Sequence, residues 1–277
     1  MKSRMLARSV ALMLASGLAS SAAATVVARD GFDVPPYAVA PLIGQAGGGT
    51  GFAGVWQAVP GVGTDMAVVG PGAIGRPFNN GASAGAYLDF STPISLTSGQ
   101  LFMSYTVRNL GSGNFNSTRL DINGGSSPVP GGFRGLLGGM ELDAKFNFEV
   151  ESGLGAAVAQ TNIPTTGDHH IVGVMDYANG QIAMFVDPTS SSFYHSDGFN
   201  NADAVDGWVP AGPLSFGSYS LIENLSDSAV FGRVKFSTDA RSVLGVPEPA
   251  SWATMLFGIS AIAAMLRTSR RRVSVLR

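Results

Sequence analysis

The chain has 277 residues, of which 45% are hydrophobic, 13% are charged and none is cysteine, and its formal net charge is −2. The lack of cysteine excludes disulfides, thiolate metal sites and thiol catalysis. Without a surplus of basic residues to neutralise phosphates, the composition also argues against a protein that binds nucleic acid.

The chain begins with a basic segment, a short apolar run over residues 10–18 and a stretch of small residues. The basic residues are Lys2, Arg4 and Arg8, and Ala22 and Ala24 form an A-x-A pattern. This order is typical of a secretory signal peptide, and the apolar run is too short to span a membrane. We predict a signal helix over residues 1–24, exported through the Sec translocon and cleaved after Ala24 by signal peptidase.

The middle of the chain has short apolar or alternating runs separated by Gly, Asn, Pro and Ser. Such runs favour an antiparallel β-sandwich or barrel over βαβ units. The candidate strands are 86–90, 101–109, 119–123, 140–149, 170–177, 181–186, 214–222 and 230–237. Glycine-rich residues 31–85 are predicted to be surface loops with brief strands at 55–58 and 67–69, and residues 187–208 to be a second loop. Residues 25–246 carry nine basic and eighteen acidic residues, a net charge of −9 that suits a soluble exported domain.

The clearest predicted element is a hairpin that pairs residues 170–177 with 181–186. Asn179-Gly180 lies between the two runs. Asn-Gly supplies the positive φ angles of a tight type I′ turn. We therefore predict this dipeptide at the hairpin tip.

Four spaced motifs share a further resemblance: Asp-Gly-Phe-Asp at 30–33, Gly-Gly-Thr-Gly-Phe-Ala-Gly-Val-Trp at 48–56, the hairpin at 169–188 and the strand at 231–240. Together they resemble exported concanavalin A/laminin-G-like jelly rolls. The resemblance implies an all-β domain over residues 25–245 built of two stacked antiparallel sheets. It also implies that the concave face is the usual ligand surface.

Residues 140–149 carry part of a glycosidase motif. Laminarinase-like glycosidases of the jelly-roll type carry Glu-x-Asp-x-(x)-Glu on one strand, and Glu141 and Asp143 match its first two carboxylates. Position 145 is lysine and 146 is phenylalanine, so the second catalytic carboxylate is missing. Glu149 would lie roughly 26 Å from Glu141 along a strand, which is too far to replace it. We predict that the protein is not an enzyme.

The candidate metal ligands in the sequence are histidines and the carboxylates of one acidic loop. His169 and His170 are adjacent and would point to opposite faces of a strand, so a zinc site is not expected. Asp197, Asp203 and Asp206 place carboxylates in one loop and are candidate calcium ligands, although a hydrophilic turn explains them as well. Trp56 and Tyr219 are interpreted as core residues, with stacking on a sugar as the alternative.

The C-terminal segment has three parts in a fixed order. Pro247-Glu248-Pro249 is followed by the uncharged residues 250–266 and then by Arg267, Arg270, Arg271 and Arg272. The uncharged run is just long enough for a transmembrane helix, and the arginines would hold its end in the cytoplasm as a stop-transfer signal. An ordinary membrane anchor is the simpler reading.

The same three parts, over residues 246–272, closely resemble the PEP-CTERM sorting signal. The resemblance implies that exosortase, a membrane-embedded transpeptidase, recognises Pro247, Glu248 and Pro249 in an inner-membrane intermediate of a Gram-negative bacterium. The product would then reach the cell surface or the extracellular matrix of a biofilm. We expect a non-enzymatic surface protein that contacts exopolysaccharide; the alternatives are a glycan-active enzyme with an unrecognised site and a plain membrane-anchored protein.

Overall fold

The computed structural model describes residues 26–33, 35–76, 84–109, 117–124, 134–140, 147–151, 159–164, 167–189, 199, 201–207, 213–224 and 229–244. The predicted signal peptide and the whole C-terminal segment lie outside these residues. Within them the only helix has five residues, so no described helix is long and apolar enough to cross a membrane.

The described strands, in chain order, are β1 (Val26–Asp30), β2 (Phe52–Ala58), β3 (Ala67–Gly70), β4 (Ala73–Gly75), β5 (Ala84–Leu96), β6 (Gln100–Asn109), β7 (Ser117–Asn123), β8 (Arg134–Met140), β9 (Asn147–Glu151), β10 (Ala159–Pro164), β11 (Gly167–Asp176), β12 (Gln181–Val186), β13 (Ala204–Gly207), β14 (Leu214–Asn224) and β15 (Ala229–Ser237). The helix α1 (Ala240–Leu244) follows β15.

The strands form two antiparallel sheets. One is eight-stranded, with the order β13-β12-β11-β6-β15-β4-β3 and β1 paired to β15, and the other is seven-stranded, with the order β10-β9-β8-β7-β14-β5-β2. Neighbouring strands are often far apart in sequence, as with β6 and β15, which is typical of sandwich topologies rather than of simple meanders. The predicted all-β sandwich of antiparallel sheets is confirmed.

The core lies between the two sheets and is rich in aromatic side chains. Tyr219 of β14 lies edge-on to Trp56 of β2 and to Phe236 of β15, with ring centroids 5.5 Å and 5.4 Å apart. All three side chains are fully buried. Burial of this much apolar surface is the main force that holds the sheets together. It also confirms Trp56 and Tyr219 as core residues, so neither is available to stack on a sugar.

The hairpin of β11 and β12 is confirmed, but its turn type is not. Asp176 pairs with Gln181, which leaves a four-residue loop, 177–180. Gly180 has a φ of 59°, whereas Asn179 is not among the described residues with positive φ. A type I′ turn needs positive φ at both of its central residues, so that prediction is wrong. The cause is Asp176, whose carboxylate accepts hydrogen bonds from the Asn179 backbone N–H and side-chain amide, both at 3.0 Å.

Other predictions also need correction. A single strand over 140–149 is wrong, because β8 and β9 pair antiparallel with Met140 opposite Asn147. The 187–208 loop contains β13, which pairs with β12. The glycine-rich segment at 31–85 is not only surface: Phe32, Tyr37 and Leu42 are buried in the core although their backbone is irregular.

Helix α1 lies on the outer face of the eight-stranded sheet. Asp239 precedes it, and its Oδ2 accepts a hydrogen bond from the Ser242 backbone N–H at 3.1 Å, as an N-cap does. Val243 is buried in a small outer cluster with Phe102, Val172 and Phe185. This contact fixes the helix beside the strands β6, β11 and β15.

Candidate functional site

A row of polar and cationic residues crosses the outer face of the eight-stranded sheet. Arg29 of β1 pairs with Lys235 of β15, and Lys235 pairs in turn with Ser104 of β6. Thr50 extends the row beyond Arg29 through two backbone hydrogen bonds of 2.8 Å and 2.9 Å. Residues that pair directly across strands point to the same side of a sheet. The four side chains therefore share one face, the one opposite the core.

A β-bulge in β15 adds a second cation to this face. Gly232 pairs with Thr106 and Lys235 with Ser104, so Arg233 and Val234 together stand opposite one residue of β6. Val234 is buried in the core, and Arg233 is exposed with a φ of 23°. A non-glycine residue at positive φ is strained, and such strain tends to occur where a side chain is placed for function.

The loop that carries Thr50 lies flat against β1 because its neighbour is a glycine. A Cβ atom on Gly49 would lie 1.8 Å from the backbone oxygen of Arg29, which no side chain tolerates. Glycine is the residue that permits such a close approach between two backbones. The glycine-rich motif at 47–51 therefore has a structural role: it brings Thr50 into the row.

Helix α1 forms the opposite wall. The Lys235 ammonium donates a hydrogen bond of 2.6 Å to the backbone oxygen of Ser242, near the C-terminal end of the helix, where a positive charge is favoured. Val243 and Leu244 line the space beside it. Lys235 keeps two of its three N–H donors for other partners.

These elements enclose an open cleft of ≈ 690 Å³, within the range of roughly 300–1,000 Å³ seen for ligand sites. We call it the cationic cleft and define it by Arg29, Thr50, Ser104, Thr106, Arg233 and Lys235. None of these six residues was a candidate in the sequence. The alternating Arg-Val-Lys at 233–235 and the glycines before Thr50 are the signals that point to it.

The charge states of the cleft follow from burial. Burial lowers the pKa of Lys235, and the nearby charges of Arg29 and Arg233 lower it further. Burial also lowers the pKa of His170, which lines the same cleft; Lys235 adds to this and the carboxylate of Asp187 opposes it. The lowered pKa favours the neutral, hydrogen-bonding form of the His170 imidazole at neutral pH.

The described candidates for calcium binding have other partners. Asp203 accepts a hydrogen bond of 2.7 Å from the Val186 backbone N–H, and Asp206 accepts one from the adjacent Gly207 N–H. In the described ranges, no group of three or more His, Asp or Glu side chains is placed to hold a metal ion. Asp197 lies outside those ranges, and so do Glu141 and Asp143.

His169 and His170 have separate environments, as predicted from their adjacency. The His169 Nδ1 lies 2.8 Å from the Asp187 carboxylate, whereas the His170 side chain lines the cationic cleft. The sorting-signal residues, the arginine cluster and the A-x-A pattern all lie outside the described residues.

The outer face of the seven-stranded sheet is closed at its described centre. Ser218, Ser220 and Asn123 are buried there, and the Asn123 amide donates hydrogen bonds of 3.4 Å and 3.3 Å to the two serine hydroxyls. The Tyr87 hydroxyl donates a hydrogen bond of 2.8 Å to the side-chain oxygen of Gln57. This surface is polar and shielded from solvent at these residues, and the Asn123 Oδ1 is buried there without a described hydrogen-bond partner.

Comparison with known proteins identifies the fold. No protein-family model and no curated protein sequence matches the chain. The structure is similar to the globular domain of T. cruzi calreticulin, with a TM-score of 0.50, 12% identity, and coverage of 88% of this chain and 100% of that one. The carbohydrate recognition domain of Emp47p gives a TM-score of 0.45 at 11% identity, covering 79% of this chain and 98% of that one.

A β-1,3-1,4-glucanase from a mouse hindgut metagenome also gives a TM-score of 0.45, at 12% identity, covering 76% of this chain and 98% of that one. At these identities a likeness speaks for the fold and not for an activity. The two sheets, their antiparallel order and the calreticulin likeness agree with the resemblance found in the sequence. The protein has the fold of the concanavalin A-like β-sandwiches.

Proposed function

We propose that this protein is an exported, non-enzymatic surface protein that binds a glycan in the cationic cleft. The main support for glycan binding is the cationic cleft itself. It is open, and it is lined by the hydroxyl-bearing residues Thr50, Ser104 and Thr106 beside cationic donors. Glycans are rich in hydroxyls that need both donors and acceptors, and a few convergent polar groups in a concave site provide them.

The carboxylates at the cleft support binding rather than hydrolysis. Glycoside hydrolysis normally needs two carboxyl groups free to act on the scissile bond. Asp30 and Asp33 border the cleft, but the Asp30 oxygens accept hydrogen bonds from the Tyr37 hydroxyl and the Phe32 backbone N–H. Among the described residues that line the cleft, this leaves the Asp33 carboxylate, and one carboxylate is too few for that chemistry.

We propose in addition that the two terminal segments deliver the protein to the cell surface. The signal peptide pattern and the resemblance at 246–272 support passage through the Sec translocon, a membrane-held intermediate and recognition of Pro247, Glu248 and Pro249 by exosortase. The described chain ends at Leu244 on the sheet surface, three residues before Pro247. The tail would hold the protein in the membrane until it is removed.

The binding half is tested with the full-length protein in a non-ionic detergent and a panel of labelled polysaccharides. We expect at least one polysaccharide to be retained and none to be shortened. Thr50→Trp should abolish retention, because Thr50 is exposed in the cleft floor and an indole fills the space. Ser95→Trp is the matched control, since Ser95 is exposed on β5 of the other sheet.

Three results would contradict the proposal. Shortened products would favour the glycan-active enzyme. Retention that Thr50→Trp leaves unchanged would place the binding surface elsewhere. No retention of any polysaccharide would leave a plain membrane-anchored protein as the better account.

A further inference from the structure

One third of the basic residues of the sandwich line a single cleft. Residues 25–246 carry a net charge of −9 and only nine basic side chains, yet three of the nine line the cationic cleft. A cluster of cations on an otherwise acidic protein produces a local electric field. Its sign is opposite to that of the field around the rest of the surface. Such a field attracts and orients an anion.

The three cations are held close together although they repel one another. Arg29 and Lys235 face each other across β1 and β15, and the bulge adds Arg233 two residues before Lys235. Their mutual repulsion contributes to the lowered pKa of Lys235. Like charges placed directly opposite on a sheet are destabilising, so the proximity of Arg29 and Lys235 costs the folded protein stability.

Two other arginines, Arg76 and Arg108, are paired with carboxylates. Arg76 lies 3.0 Å from Asp65, and Arg108 forms a two-pronged pair with Asp168 on the same outer face. In the described ranges, no carboxylate lies within ion-pair distance of Arg29, Arg233 or Lys235.

Of the acidic residues that the structure describes at the cleft, Asp33 alone is available, since both oxygens of Asp30 are already hydrogen-bonded. Three cations therefore face a single carboxylate. This surplus is available to a negatively charged ligand.

We propose that the cleft is specific for acidic glycans, and that Arg29, Arg233 and Lys235 bind an oxyanion substituent of the saccharide. This inference rests on the proposed function and adds the chemical class of the ligand. Guanidinium groups bind a planar carboxylate through two parallel N–H bonds, while an ammonium serves as a compact point charge. The hydroxyls of Thr50, Ser104 and Thr106 would then contact the sugar ring around that group.

The oxyanion is identified by binding matched polysaccharides to the full-length protein in a non-ionic detergent. Polygalacturonate is compared with its carboxyl-reduced form, and dextran sulfate with dextran. We expect polygalacturonate to bind at least tenfold more tightly than the reduced polymer. A preference confined to dextran sulfate would support the cationic site with a sulfate ester as its anion. Equal binding of both members of each pair would overturn the inference while glycan binding stands, and no binding at all would contradict the proposed function itself.

The residues are tested with three substitutions that each remove one positive charge. Lys235→Gln and Arg29→Gln should each weaken polygalacturonate binding by about tenfold or more, since each removes a charge-assisted hydrogen bond to the oxyanion. Arg108→Gln is the matched control on the same sheet face, outside the cleft, and should have little effect. Arg29 is exposed, so Arg29→Gln remains informative if loss of the half-buried Lys235 disturbs folding.

The inference is overturned if Arg108→Gln weakens binding as much as the cleft variants do, because the attraction would then be a property of the whole surface. It is also overturned if Lys235→Gln and Arg29→Gln both bind polygalacturonate as the unmodified protein does. Thermal unfolding of each variant shows that the comparison is made between folded proteins.

Discussion

At the scale of single residues, a buried hydrogen-bond network ties the irregular segment after β1 to the core. The Tyr37 hydroxyl donates to Asp30 and accepts from the Trp56 indole N–H at 3.0 Å and the Gly48 backbone N–H at 2.8 Å. Burial raises the pKa of Asp30, although its hydrogen bonds from Tyr37 and Phe32 oppose this. The network holds in place the loop that forms one wall of the cleft.

Tyr37→Phe removes the central hydroxyl and leaves the Asp30 carboxyl group and the Trp56 N–H without that partner. Because unpaired buried polar groups are costly, we expect a loss of roughly 1–3 kcal/mol in the free energy of unfolding. Tyr87→Phe is the control, since the Tyr87 hydroxyl has one described hydrogen bond, to the half-buried Gln57. Urea denaturation of both variants measures the difference, and equal losses would contradict a special role for the Tyr37 network.

Asp176 provides a test that depends on pH. Burial by itself raises its pKa, but hydrogen bonds from Gln100 and Asn179 outweigh burial and leave the pKa below its ordinary value. A carboxylate with a lowered pKa in the folded state stabilises the protein above the unfolded-state pKa of about 3.9, and that stabilisation is lost as the pH falls through the folded-state pKa. Asp176→Asn should therefore destabilise the protein at pH 7 by roughly 1–3 kcal/mol.

The destabilisation by Asp176→Asn should shrink when unfolding is measured at progressively lower pH, below about 4. Asp168→Asn on the same strand is the control. Its carboxylate is exposed, so its effect on unfolding at pH 7 should be much smaller. A pH-independent difference between Asp176→Asn and the unmodified protein would contradict the hydrogen-bonded carboxylate.

At the scale of elements, the hairpin of β11 and β12 depends on the left-handed conformation of Gly180. Gly180→Val should destabilise the protein by about 1–2 kcal/mol, because a β-branched residue resists positive φ. Ala178→Val is the control in the same loop, since Ala178 is exposed and is not among the residues with positive φ. Thermal unfolding separates the two, and a melting temperature unchanged by Gly180→Val would contradict this turn.

The sequence predicts the strands that carry a strong local pattern. β11 and β12 follow from alternating apolar residues and an Asn-Gly dipeptide, and both were predicted within a few residues of their bounds. β1, β10 and β13 have six residues or fewer and were not predicted. Such strands are formed by pairing with a neighbour rather than by their own periodicity, so a local pattern does not reveal them.

The cationic cleft could not be predicted from the sequence, for a related reason. Its residues come from segments as far apart as Arg29 and Lys235, and strand pairing alone places them side by side. Arg233 reaches the cleft through a bulge, which shifts the alternation of side chains along β15. The spacing of residues along the sequence reveals neither which strand pairs with which nor where the bulge lies.

At the scale of the whole molecule, the C-terminal tail is expected to be removed after export. We predict that the surface form lacks the residues after the Pro-Glu-Pro segment. Replacing Pro247-Glu248-Pro249 by three alanines should let a helix continue out of the membrane and prevent processing, because proline is what excludes a helix there. This variant should accumulate as a full-length, membrane-bound protein.

Intact-mass analysis of surface protein from producing cells measures the processing. Replacing Thr268 and Ser269 by alanine is the control, since it leaves the prolines, Glu248 and the arginines in place. That variant should be processed as the unmodified protein is. Surface protein that still contains residues 250–277 would show that the tail is an anchor and would contradict sorting.

The central claim, that a glycan binds in the cationic cleft, is tested most directly by hydrogen–deuterium exchange of the full-length protein with and without polygalacturonate. Backbone amides should be protected in peptides that cover 29–33, 48–50, 231–235 and 240–244. Peptides from β5 and β14, on the other sheet, should exchange at unchanged rates. Protection confined to β5 and β14, with no change around Arg29 and Lys235, would contradict the account.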